Sequence, residues 1–118
     1  MKTERSTGVI EYLADESTPL VAPDHMLVET ARTIRRFSLG GLISDSRADS
    51  AIESAIGLGV RTYPCTDLIR KAWTMRFSIT IDDALYVALG ESIPGASLLT
   101  TDVRLARAAS RRMPVIQL

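Results

Sequence analysis

Thr80-Ile81-Asp82-Asp83-Ala84-Leu85-Tyr86-Val87-Ala88-Leu89 sets two acids at the start of an apolar segment with helix-forming composition. The next apolar run, Leu98-Leu99-Thr100-Thr101-Asp102, ends on another acid. The first stretch reads as a helix and the second as a short strand. Helix start, strand, carboxylate is an order that can bring Asp83 and Asp102 together at one sheet edge. In open α/β sheets, sites form beyond the carboxyl ends of the strands.

Working toward the C-terminus, Pro94-Gly95 predicts a turn, residues 97–101 a strand, 103–109 a short helix and Val115-Ile116 a last strand. Working toward the N-terminus, Thr66 or Asp67 can cap a helix running to Phe77, with Leu68, Ala72 and Met75 spaced for packing. Before it, residues 60–63 are strand-like and stop at Pro64. Ser44 or Asp45 can cap a helix with Ala48, Ile52 and Ile56 on its apolar side, closed by Gly57 and Gly59. Asp24 is a candidate cap for a helix to about Phe37, whose stripe is Leu27, Ala31 and Ile34, ended by Gly40-Gly41. Leu20-Val21-Ala22 reads as a short buried strand ahead of Pro23. Residues 15–19 form a turn, 8–13 a short helix, and 1–7 are polar. Short apolar strands alternating with helices predict a three-layer α/β/α fold around a short, mostly parallel sheet.

The chain has 118 residues, which fits a single domain over 1–118. Nearly half the residues are apolar and few are aromatic, so the core is expected to be Leu, Ile, Val and Ala. Lys plus Arg and Asp plus Glu balance at 14 each, which excludes strong global attraction to nucleic acid. Any such contact needs a local basic patch. The single Cys65 excludes an internal disulfide and a multi-cysteine zinc site. No run approaches transmembrane length, and the first seven residues lack the apolar core of a signal peptide. A soluble protein of the reducing cytoplasm, away from membranes, is expected.

Each acid has an ordinary structural use. Asp82 and Asp83 are separated by about 100° around a helix, so they do not point into one cavity together. Asp82 suits the helix cap and Asp83 a functional role. Asp102 could cap the helix beginning at Val103. Glu29 could form a solvated ion pair with Arg32 or Arg36. His25 is the sole histidine and has no evident partner, so no histidine-based chemistry competes; Cys65 reads as structural. The functional use joins the acids. Carboxylates gathered in one cleft resist ionisation, and a divalent cation removes that cost. Oxygen-only ligands favour Mg2+ or Mn2+ over zinc, and such an ion can activate water and stabilise a phosphodiester in transfer.

These segments together resemble the PIN-domain ribonucleases, most closely the VapC-type toxins of bacterial toxin–antitoxin pairs. The resemblance is carried by Val9-Ile10-Glu11-Tyr12-Leu13, Leu20-Val21-Ala22-Pro23, Val28-Glu29-Thr30-Ala31 with Arg35-Arg36, the 83–89 stretch, and Leu99-Thr100-Thr101-Asp102 with Arg104-Leu105-Ala106. It implies a parallel sheet and a metal-bound acidic cluster that cleaves RNA, with Glu29, Asp83 and Asp102 as three of its members. Thr101 matches a supporting hydroxyl, and Thr7 falls on the family's Ser/Thr position after the first strand. The resemblance also implies a cognate antitoxin that blocks the cleft, and frequent homodimers. Arg32, Arg35, Arg36, Arg104 and Arg107 are candidates for holding the RNA backbone, or form a solvated charged face. One departure stands out: the family's first catalytic Asp position falls on Arg5, after the charged Lys2-Thr3-Glu4. Two functional readings follow, a metal-dependent endoribonuclease and a catalytically impaired PIN-like module that binds antitoxin or RNA without cutting.

Overall fold

The computed structural model describes residues 19–118. The helix expected over 8–13, the turn ahead of Pro19, the atypical opening strand with Arg5, and Thr7 lie outside the described residues. The fold is α/β, with parallel strands joined through helices, as the alternation of segments predicts. Leu20–Tyr63 forms one compact unit, and Pro64–Leu118 belongs to another.

In the first unit, β1 (Val21–Pro23) and β2 (Arg61–Tyr63) pair in parallel, with Val21 opposite Arg61 and Pro23 opposite Tyr63. The strand runs one residue further than expected, through Pro23. The backbone N–H of Asp24 then donates to the Tyr63 carbonyl at 2.8 Å. That bond extends the ladder to Asp24, and the N-cap position of the next helix falls one residue later than expected. The residue before α1 (Met26–Leu39) is His25, whose side chain makes no capping bond and whose carbonyl accepts from Glu29 N at 3.0 Å. Gly40 and then Gly41, at φ 74°, end α1, because a positive φ is free only for glycine. α2 (Asp45–Ile56) starts at Ser44, whose hydroxyl accepts from Arg47 N at 3.2 Å, and packs against α1. It ends at Gly57.

The second unit opens with a 3-10 turn (Cys65–Asp67) and a short α3 (Ile69–Trp73). The helix expected to reach Phe77 stops at Trp73. The Thr74 hydroxyl and backbone N–H both donate to the Lys71 carbonyl, at 2.6 and 3.1 Å, and Arg76 Nη1 donates to the Trp73 carbonyl at 3.0 Å. Local side-chain bonds of this kind compete with the helical ladder. The packing spacing still holds, with Leu68, Ala72 and Met75 all buried.

Next comes α4 (Ile81–Ser92), the packed centre of this unit: Ala84, Leu85, Val87, Ala88 and Leu89 are all buried. The alanines let neighbouring backbone approach closely. Gly90 extends the same need, since a Cβ there would meet the Met113 side chain. The chain reverses at Pro94-Gly95, where Gly95 has φ 79°, and returns as β3 (Leu98–Thr100), which packs on α4. α5 (Val103–Ala109) leads to β4 (Val115–Gln117), parallel to β3 with Leu98 opposite Val115. Leu105, Ala106, Ala109 and Met113 are buried, and Arg112 Nε pairs with Glu91 Oε1 at 2.9 Å, tying the turn after α5 to the end of α4.

Candidate metal and nuclease residues

Asp83 is placed by the start of α4. The cap is Thr80, whose hydroxyl accepts from Asp83 N at 3.3 Å; Asp82 does not take that role. A threonine three residues ahead of an acid is a known helix-start pattern, so Thr80-Ile81-Asp82-Asp83 carried the signal. Asp82 is exposed and Asp83 half-buried, both in the first turn, where the helix dipole favours negative charge.

Asp102 follows directly on β3 and caps α5. Its Oδ1 accepts from Arg104 N at 2.9 Å and from Leu105 N at 3.2 Å. The capping use of Asp102 is therefore real, but both bonds fall on one oxygen of the carboxylate. Thr100 supports it from behind, its hydroxyl accepting from Asp102 N at 3.0 Å. The neighbouring exposed Thr101 is the hydroxyl the sequence singles out; of the two, Thr100 holds the Asp102 backbone.

The helix α4 and the strand β3 are joined by a short turn in which Ala96 N donates to the Ile93 carbonyl at 3.2 Å. Asp83 thus stands in the first turn of α4 and Asp102 directly after β3, both in this unit. An oxygen-only pair of this kind fits a hard divalent cation and gives nothing for a soft one.

Glu29 belongs to the Leu20–Tyr63 unit. It sits in the first turn of α1, half-buried, with Oε1 3.5 Å from His25 Nε2. His25 therefore has a partner, one turn along the same helix, where an arginine pairing of Glu29 was expected. The Thr33 hydroxyl donates to the Glu29 carbonyl at 3.1 Å, one turn further along. Arg32, Arg35 and Arg36 are exposed on α1, with Arg36 lying 5.8 Å from the Phe37 ring centre. On α5, Arg104 and Arg107 are exposed. Arg107 borders a shallow cleft of about 320 Å³ together with Val103, Ala106, Ser110, Val115 and Gln117.

Comparison with known proteins agrees with this arrangement of segments. No protein-family model matches the chain. Ribonuclease VapC3 of Mycobacterium tuberculosis is 36% identical over 106 residues, covering 90% of this chain and 75% of the relative. Ribonuclease VapC12 of the same species is 36% identical over 86 residues, 73% of this chain and 66% of the relative. Ribonuclease VapC1, also from that species, is 38% identical over 88 residues, 74% of this chain and 65% of the relative. The chain belongs to the VapC-type PIN-domain ribonucleases of toxin–antitoxin pairs. It spans three quarters of VapC3 and about two thirds of the other two.

No helix among the described residues is long and apolar enough to cross a membrane.

Proposed function

We propose that the chain is a metal-dependent endoribonuclease in which Glu29, Asp83 and Asp102 hold Mg2+ or Mn2+. What supports this reading is that Asp83 opens the packed helix α4 and Asp102 directly follows β3 in the same α/β unit, in a chain of the VapC family. The ion supplies an activated water and positive charge at the phosphodiester. The protein's own residues do the rest. Thr80 and Thr100 fix the backbones of Asp83 and Asp102, and the exposed Arg32, Arg35, Arg36, Arg104 and Arg107 hold the RNA phosphates. Thr101 adds a hydroxyl beside Asp102, and Thr7 takes the family's Ser/Thr position. The partners are a cognate antitoxin protein and a second copy of the chain, and the setting is the cytoplasm.

The test is cleavage of RNA by purified protein with Mg2+ or Mn2+, and its loss on chelation and in Asp83→Asn. Equal cleavage by that variant would sink the assignment. Arg5 at the family's first acidic position favours a second reading, a PIN-like module that binds without cutting. Strong metal-dependent cleavage by Arg5→Asp, from a parent that has none, would establish it.

A further inference from the structure

The neutral chain places its cations unevenly. Residues 68–79 carry Arg70, Lys71 and Arg76 and no acid. The same stretch exposes Trp73 at 56% and Phe77 at 87%, the latter the most exposed of the large apolar side chains among the described residues. Arg76 lies between them, its guanidinium 4.7 Å from the Trp73 ring centre and 4.3 Å from that of Phe77. The inward side of the segment is anchored by the buried Leu68, Ala72, Met75 and Ile79. Its turns are closed by backbone bonds from Thr74 N to Lys71 O, Met75 N to Ala72 O and Ile79 N to Met75 O, each near 3 Å. Two aromatic faces are thus held outward on a braced backbone. Among the described residues, Arg70 and Lys71 are exposed and form no ion pair.

We propose that this segment is a platform for single-stranded RNA, on which Trp73 and Phe77 stack against unpaired bases while Arg70 and Lys71 hold phosphates. This rests on the ribonuclease reading, whose substrate it describes more closely. Aromatic faces flanked by cations are the chemistry that binds unpaired nucleic acid without sequence preference. Arg76 holds both rings before the ligand arrives, which lowers the ordering cost of binding. The absence of acids in 68–79 favours a polyanion over an acid-bearing mixed protein surface.

Trp73 is the chain's sole tryptophan, so its fluorescence reports the platform directly. The experiment uses the full chain carrying Asp83→Asn, to prevent cutting, and a labelled single-stranded RNA of about 16 nucleotides. RNA is expected to quench Trp73. Trp73→Ala and Phe77→Ala are each expected to weaken binding about 5- to 150-fold, the range for one stacked base. Replacing Arg70 and Lys71 by Gln should lower the slope of log affinity against log salt by about 1.4. Circular dichroism checks that the variants fold; if an alanine variant does not, quenching decides. RNA binding with Trp73 unquenched and the alanine variants unimpaired overturns the platform alone. So does a variant that disperses a dimer in light scattering while keeping its RNA affinity, which assigns the patch to a second copy. A parent chain that neither binds nor cleaves RNA overturns the platform and the ribonuclease reading together.

Discussion

Two helices each carry a candidate metal ligand in their first turn, and they are built differently. α4 presents Asp83 and buries Ala84, Leu85, Val87, Ala88 and Leu89. α1 presents Glu29, and none of its described residues is buried. Asp83 is therefore carried by a helix packed into a core that cannot shift without losing contacts, whereas the helix carrying Glu29 buries none of its residues. A ligand site needs its groups held to within a fraction of an ångström, and packing is the surer way to hold them.

The largest effect expected from this difference is in catalysis. Asp83→Asn removes charge from the rigid side, and RNA cleavage is expected to fall about 100- to 1000-fold. Glu29→Gln should cost less, because a side chain on an unburied helix is less closely held to begin with. Single-turnover cleavage rates at saturating Mn2+ check this. A Glu29→Gln loss larger than that of Asp83→Asn would break the comparison.

Stability comes next. Leu85 is 4% exposed and its truncation leaves a cavity, so Leu85→Ala should destabilise by about 2–5 kcal/mol. Val28 on α1 is 57% exposed, and Val28→Ala should stay within about 0.5 kcal/mol. Urea denaturation of both variants measures it. Similar midpoints for the two would mean that α4 is not the packed centre of its unit.

Asp102 sharpens the same contrast, because it caps α5 and is also a proposed metal ligand. Asn is as good a helix cap as Asp, so Asp102→Asn should leave stability almost unchanged while removing a proposed metal ligand. Asp102→Ala should lose about 1 kcal/mol in addition, as the bonds to Arg104 N and Leu105 N go. Thermal melts with cleavage rates on both variants separate the two roles. Full activity in Asp102→Asn would leave only the cap.

Much of this was legible in the residues. The stretch 80–89 reads as a helix because its apolar positions, alanines and leading hydroxyl agree with one another, and 98–102 reads as a strand that ends on an acid. The family followed from those two stretches in order. What the residues concealed was which of several neighbouring groups makes each bond. Thr80, Asp82 and Asp83 are all competent at a helix start, and it is the Thr80 hydroxyl that accepts from Asp83 N. Thr100 and Thr101 are chemically equivalent until the strand end places one hydroxyl under Asp102 N. The N-cap position falls on His25, one residue past Asp24, because the strand pairing runs on through the Asp24 N–H. The helix into Phe77 ended early through hydroxyl and guanidinium bonds that periodicity does not register, and that ending is what leaves Trp73 and Phe77 in water.

The smallest effect concerns the contact between His25 and Glu29. His25 Nε2 lies 3.5 Å from Glu29 Oε1, one helical turn away, with side-chain exposures of 18% and 29%. Pairs at this spacing contribute a few tenths of a kcal/mol, and this one is partly wet. α1 does not need it to form, since Glu29 N already donates to the His25 carbonyl at 3.0 Å. His25→Gln should therefore shift the unfolding free energy by about 0.5 kcal/mol or less. Cleavage should fall more than stability does, because Glu29 is a proposed metal ligand while the helix keeps its own backbone bonds. Measuring Mn2+ dependence alongside urea denaturation distinguishes the two. A loss of stability comparable to Leu85→Ala would mean that His25 anchors α1 itself, and the contrast between a packed helix and a locally tied one would fail.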